Sequence, residues 1–204
     1  KCILFDCDGV LIDSEAITNQ VLRTMAGEVG ANISEAYARN HFGGRKLKTP
    51  SRGVRPTQSR VREAVFSSLA ACLPGARVLD LFAGTGAFGI EALSRGAESV
   101  VFVDVDNDSI SVLQENIKSL SLNSLTKIFR WDLTRNLNCL GSLRSAFNLI
   151  FMDPPYNKNM IGPTLYNLHS SQSMESGARI VVEHSCLEPV QKSQLPFEIS
   201  DQRR

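Results

Sequence analysis

The stretch Asp80-Leu81-Phe82-Ala83-Gly84-Thr85-Gly86-Ala87-Phe88-Gly89 decides the fold. It follows an apolar run that begins at Arg77 and reads as a buried strand. Gly84, Gly86 and Gly89 fit G-x-G-x-x-G, the turn from a strand into a helix N-terminus. Downstream the pattern repeats as strand, helix, strand, helix. Strands are expected at 77–82, 99–104, 126–131, 147–153 and 179–183, with helices near 89–94, 108–120 and 161–169. Such alternation implies a parallel sheet covered on both faces. Gly141-Ser142 and the stretch 170–177 read as loops.

The acids at the expected strand ends narrow the ligand. Asp104 lies about twenty residues after the glycine loop, where an acid can hold ribose hydroxyls. Asp80 precedes the loop, where a carboxylate attracts a cationic amino group and repels a pyrophosphate. Asp132 ends the third of these strands, where it can accept from an adenine amine. A dinucleotide fits this set poorly. An ammonium, a ribose and an adenine fit it well, and S-adenosylmethionine carries all three. Trp131 is expected in the core.

Asp153-Pro154-Pro155-Tyr156 follows the apolar run 147–152. Two prolines stop that strand and stiffen the backbone. A carboxylate, a fixed carbonyl and an aromatic face then share a strand's carboxyl end, where open α/β sheets bind ligands. The set suits a flat nucleobase with an exocyclic amine.

Upstream, lysines and arginines cluster from Arg39 to Arg62 without an intervening acid, although the 204-residue chain has a net charge of only +1. Arg39, Arg45, Lys46, Lys48, Arg52, Arg55, Arg60 and Arg62 form a candidate arm for an RNA backbone. A basic strand is expected at 45–49. A helix from Thr57 to about Cys72 should turn Val61, Val65, Phe66 and Leu69 inward. Five scattered cysteines with no C-x-x-C argue against a disulfide framework or a zinc site, and for a cytoplasmic setting. No metal is expected in the main domain. No apolar stretch is long enough to span a bilayer, and no signal peptide is visible. The chain opens at Lys1 and is expected to lack its true start.

From about Ala38 onward the chain resembles the RsmD family, bacterial guanine-N2 methyltransferases of small-subunit ribosomal RNA. The matching stretches are GGRKLKTP (43–50), RPTQSRVREAVF (55–66), DLFAGTGAFGIEALSRGA (80–97), VFVDVD (101–106), DPPY (153–156) and VVEHS (181–185). The resemblance implies a Rossmann-like, S-adenosylmethionine-dependent methyltransferase fold. It implies a cofactor site at Asp80, Gly84, Gly86, Asp104 and Asp132, with the flanking Phe82, Ala83, Val105 and Leu133 counted among its candidate contacts. It puts the target base at Asp153, Pro154, Pro155 and Tyr156, and implies ribosomal RNA as partner, within a partly assembled small subunit. Ser59 stands where the family often has an acid, and Asp104 where it often has Glu. The family's final strand is expected to be missing after Arg204. DPPY also occurs in DNA adenine-N6 methyltransferases, which keeps that reading as an alternative, and the helix at 55–66 favours RNA.

Residues 1–35 are different. Phe5-Asp6-Cys7-Asp8-Gly9-Val10 resembles the first motif of haloacid-dehalogenase-like phosphatases, with Asp6 as nucleophile and Asp8 as acid/base. A strand at 3–5 and a helix at 14–29 cannot form that domain alone. The expected organisation is a truncated phosphatase-like fragment at 1–35 and a methyltransferase domain at 36–204. That domain divides into a basic arm at 38–56 and a catalytic core at 57–204. The fragment is expected to be dispensable for methyl transfer. A haloacid-dehalogenase-like phosphohydrolase and a catalytically idle RNA-binding module are the alternatives outside methyl transfer.

Overall fold

The computed structural model describes residues 2–6, 47–48, 59–143, 146–185, 187–188 and 197–203. The helix expected at 14–29, the Thr57 cap and residues 45, 46 and 49 of the strand expected at 45–49 lie outside them, and Leu47 and Lys48 are not in a strand. The strands are β1 (Cys2–Asp6), β2 (Arg77–Leu81), β3 (Ser99–Asp104), β4 (Thr126–Arg130), β5 (Phe147–Met152), β6 (Met174–His184) and β7 (Ile199–Arg203). The helices are α1 (Ser59–Leu69), α2 (Ala87–Ser94), α3 (Asn107–Ser119) and α4 (Ile161–Ser170). The strands form one sheet in the order β4-β3-β2-β5-β6-β1-β7. Every neighbouring pair runs parallel.

Alternation along the strands builds two cores, one on each face. Val78, Val100, Phe102, Leu149, Phe151 and Val181 face α1, α2 and α3, whose Phe66, Leu69, Phe88, Leu113 and Ile117 complete that layer. Leu79, Leu81, Val101, Val103, Ile150, Met152, Ile180 and Val182 face the other way, toward Ile161, Leu165 and Leu168 of α4. Within the first layer the Phe88 and Phe151 rings stack at 5.0 Å, and Phe66 lies 5.4 Å from Phe151. The inward positions expected on α1 hold for Val65, Phe66 and Leu69, each no more than 1% exposed.

The main departures lie in β6 and β1. Met174–Gly177, expected as loop, is the start of β6, because Phe147 and Met174 pair across the sheet. β1 is no appendage to the sheet. It pairs with β6 from Cys2 opposite Ile180 to Asp6 opposite His184, and with β7 on its other side. Its apolar Ile3-Leu4-Phe5 suits an interior parallel strand. Residues 2–6 thus join β7 to the rest of the sheet, so loss of the fragment removes a strand from the sheet's interior. Among the described residues, no helix is long and apolar enough to cross a membrane.

Two glycines let α2 approach the sheet. A methyl group on Gly89 would lie 2.3 Å from Cε1 of Phe102 and 2.7 Å from Cγ1 of Val100. One on Gly86, at φ 81°, would lie 2.4 Å from Cδ1 of Leu113. The Phe102 ring is fully buried and has nowhere to retreat. Gly89→Ala is therefore expected to destabilise the fold by about 1–3 kcal/mol through overpacking. A lowered urea midpoint at unchanged m-value is the reading that checks this.

Candidate methyl-transfer site

The glycine loop is built by side chains from the strands beside it. α2 begins at Ala87 after Gly86, which has no side chain with which to cap it. Asp80 takes over that task from β2. Its Oδ2 accepts the N–H of Gly89, in the first turn of α2, at 2.9 Å. Asp104 braces the loop from β3. Its Oδ2 accepts from the Gly84 N–H at 2.8 Å and its Oδ1 from the Asp106 N–H at 2.9 Å. Asp106 caps α3 by accepting from Ser109 N–H at 2.8 Å. The loop backbone itself is left-handed at Phe82, Gly84 and Gly86, with φ of 59°, 53° and 81°. Ala83 is buried beneath it, and its N–H donates to the Val103 carbonyl at 3.1 Å.

Asp80 is 2% exposed, on the sheet face that carries Phe102 and Phe151 in the same register. Burial pushes its carboxyl well above the usual carboxylate range. The hydrogen bond from Gly89 works against that shift, while the nearby charges of Asp153 and Asp104 add to it. Carboxylates from β2 and β3 thus hold the loop and the helix it opens, and Asp153 at the end of β5 lies near enough to act on Asp80. A cation entering there is attracted by each acid that is ionised and favours ionisation of Asp80; a pyrophosphate is repelled.

The remaining sequence candidates divide. Val105 follows β3 and is exposed, whereas Leu133 is buried in the second core. Asp132 is occupied by its own turn. Its Oδ1 accepts from Thr134 N–H at 3.1 Å and Thr134 Oγ1 at 2.7 Å, and Arg135 Nε lies 3.1 Å from its Oδ2. The Thr134 hydroxyl, before all else, holds the Asp132 carboxyl below its ordinary value. Trp131, expected in the core, is instead on the surface at 37% exposure. Its Nε1 donates to the Asn136 carbonyl at 3.1 Å, which suits a ring that keeps a polar edge toward water.

Asp153 to Tyr156 follow β5 directly. Pro154 is buried, Pro155 exposed, and Asp153 and Tyr156 half-buried. The Asp153 N–H points to the Leu81 carbonyl at 3.5 Å, tying the motif to the end of β2. Asn157 and Asn159 turn the chain away in left-handed conformations, at φ 57° and 53°. Tyr156 Oη donates to Oε1 of Glu183 at 2.5 Å. Glu183 is the last but one residue of β6 and is 7% exposed. It stands in the quoted VVEHS stretch, but nothing in the sequence marks it as Tyr156's partner.

Of the basic arm, Arg39, Arg45, Lys46, Arg52 and Arg55 lie outside the described residues. Arg60 lies on α1, and Arg62 is half-buried there. Lys48 is exposed, with its Nζ 2.8 Å from Oε2 of Glu115 on α3. Lys48's backbone meets a second residue that the sequence did not single out, Asn116. That buried amide accepts the Lys48 N–H at 2.9 Å, donates to the Lys48 carbonyl at 3.2 Å and donates to the Thr85 carbonyl at 3.1 Å.

Comparison with known proteins places this arrangement. The family model described as conserved hypothetical protein 95 matches residues 15–204. YlbH of Bacillus subtilis (strain 168) is 39% identical over 142 residues, covering 69% of this chain and 77% of that protein. Ribosomal RNA small subunit methyltransferase D of Escherichia coli (strain K12) is 34% identical over 141 residues, 69% of each chain. Among solved structures, yhhF from Escherichia coli superimposes with a TM-score of 0.66 at 31% identity, covering 76% of this chain and 82% of that one. With its Rossmann-like methyltransferase fold, the chain belongs to the RsmD family, the family described as conserved hypothetical protein 95.

Proposed function

We propose that this chain transfers a methyl group from S-adenosylmethionine to the exocyclic N2 of a guanine in small-subunit ribosomal RNA. The observation that carries the reading is that Asp80 and Asp104 hold the glycine loop and the start of its helix while Asp153 stands at the adjacent strand end, an acidic site suited to a cationic cofactor and an amine substrate. The name of the Escherichia coli relative supports ribosomal RNA as the substrate. A partly assembled small subunit is the natural setting for it.

The residues fit the cofactor chemically. Asp80 would face the ammonium, Asp104 the ribose hydroxyls and the Gly84–Gly86 backbone the chain between. Carboxylate oxygens each carry two lone pairs, so Asp104 can keep Gly84 and still accept from a hydroxyl. Phe82, Ala83, Val105, Asp132 and Leu133 complete the candidate wall. When bound, the cofactor supplies an electrophilic methyl group on a sulfonium. The protein's own work is positioning. The guanine N2 lone pair is delocalised into the ring. Hydrogen bonds from the amine to the Asp153 carboxylate and the Pro154 carbonyl turn that lone pair toward the methyl group. Asp153 then receives the amine proton. Tyr156 stacks on the extruded base and replaces its lost neighbours. Glu183 fixes the ring's far end.

Asp80→Asn keeps an acceptor for the Gly89 N–H but removes the charge. It is expected to weaken binding of S-adenosylhomocysteine by about 1.5–3 kcal/mol, the worth of a hydrogen bond to a charged group. The same variant tests the linkage to pH. Because burial raises Asp80, its ionisation costs more in the folded chain than in the unfolded one. Its contribution to stability is full below the ordinary carboxylate range and declines as pH rises toward its own raised value. Calorimetry and denaturation across pH should find that decline flattened in Asp80→Asn; an unchanged slope removes Asp80 as its source.

Asp153→Ala is expected to abolish methyl transfer to RNA while leaving cofactor affinity intact. Tyr156→Ala should lower turnover and RNA affinity together, through about 1–3 kcal/mol of lost stacking. Labelled-methyl assays on RNA and on DNA, with the product base identified, check both. Methyladenine in DNA as the product would replace this reading with the adenine-N6 alternative.

The phosphatase-like Asp6/Asp8 motif is read as chemically idle. The methyltransferase pattern occupies the chain downstream of the motif, so its two carboxylates would face a dianion without the rest of a phosphatase site to offset the repulsion. Hydrolysis of a generic phosphate ester with Mg²⁺ should stay at background in the parent chain and in Asp6→Asn alike.

A further inference from the structure

Asn116 is 2% exposed, in a helix whose neighbouring inward positions, Leu113 and Ile117, are apolar. A buried amide must satisfy one acceptor and two donors. It does so without partners from its own helix. Its Oδ1 takes the Lys48 N–H, and its Nδ2 donates to the carbonyls of Lys48 and Thr85. One side chain thus grips both polar groups of Lys48, sixty-eight residues earlier, and the middle residue of the glycine loop, thirty-one residues earlier. Leu47 packs against the first core beside this grip, and Lys48 Nζ meets Glu115 on the neighbouring position of α3. In sequence, Leu47 and Lys48 sit among Arg45, Lys46, Arg52 and Arg55.

We infer that Asn116 is a positioning residue that couples the basic arm to the glycine loop, so that cofactor and RNA each raise the other's affinity. The inference rests on the proposed function, in which the loop takes the cofactor and the arm takes RNA. A cofactor held on the Gly84–Gly86 backbone fixes the Thr85 carbonyl. That fixes the Asn116 amide, and the amide fixes the backbone of Lys48. Lys48, the arm residue so held, is then presented in one arrangement, and an RNA phosphate that meets it has less freedom to remove. Linkage makes the effect reciprocal: RNA must raise cofactor affinity by the same factor.

The test measures affinity for deproteinised small-subunit ribosomal RNA at fixed salt, without and with saturating S-adenosylhomocysteine. The full chain is used, and cofactor affinity is measured separately by calorimetry. The parent is expected to bind RNA about five-fold or more tightly with the cofactor present, within the usual range of coupling between sites. Asn116→Ala should bring that ratio close to one. Asn116→Asp, which has the same shape but loses both donated bonds, should do the same, and it serves where the alanine variant fails to fold. Glu115→Ala removes only the exposed ion pair and should keep the parent's ratio. A parent ratio of one, or an undiminished ratio in a folded Asn116 variant, overturns the inference and leaves Asn116 as a brace, even if both ligands bind. A parent that binds neither ligand overturns the functional reading instead, and the coupling with it.

Discussion

The hydrogen bond from the Gly89 N–H to the Asp80 carboxylate governs the rest of this structure. A helix that starts on glycine has bare N–H groups in its first turn. The usual remedy, a serine or aspartate at the cap, is closed here because Gly86 must pass within reach of Leu113. The acceptor therefore comes from the adjacent strand. This binds β2 to α2, sets the height of the loop above the sheet and puts a carboxylate into an apolar layer beside Phe102 and Phe151. In the proposed function the same oxygens that organise the loop are the ones offered to a ligand. Structure and binding are then not separate jobs for Asp80 or Asp104, and substitution at either residue would read out both. An amide in place of the carboxylate separates them, since it keeps the acceptor and drops the charge.

What was legible in the sequence was local or periodic. Unbroken apolar runs through β2, β3 and β5 gave a sheet covered on both faces, because strands buried on both faces carry apolar residues without a break. The glycine spacing gave the loop. Of the three strand-end acids expected around it, Asp80 and Asp104 accept N–H groups of the loop and of the helix it opens, whereas Asp132 is taken up by Thr134 and Arg135. The misses are contacts between distant residues. Trp131 looked apolar enough for the core, yet its indole N–H is served by Asn136 at the surface. Met174–Gly177 contains a serine and a glycine and reads as loop, but β5 offers it a partner. The partners of Tyr156 and Lys48 lie 27 and 68 residues away, and no spacing rule reaches that far.

β1 shows a different limit. Its motif pointed to another family, and the sequence reading set it apart for that reason. Backbone hydrogen bonds do not depend on ancestry. An apolar pentapeptide such as Cys2–Asp6 can join any parallel sheet with an open ladder, and here it lies between β6 and β7. Family resemblance assigns residues to motifs; it does not say which ladder a strand completes.

Methyl transfer from a sulfonium to an amine needs little proton traffic, so rate must come from holding the two partners in line. The Asp153–Tyr156 segment is built for that. Two successive prolines remove backbone freedom at no further cost in ordering. Left-handed turns at Asn157 and Asn159 carry the chain off without lengthening the loop. Glu183 takes the Tyr156 hydroxyl at the far end of the ring, so the aromatic face is held at both its backbone and its tip. A ring held in this way loses little further entropy when a base stacks on it, and more of the stacking energy is left to hold the extruded nucleotide. The carboxylate and the ring to which the proposed function gives the amine and the base are thereby fixed near the ends of β5 and β6, neighbouring strands of one sheet. Rigid elements rather than side-chain mobility set the distance between them.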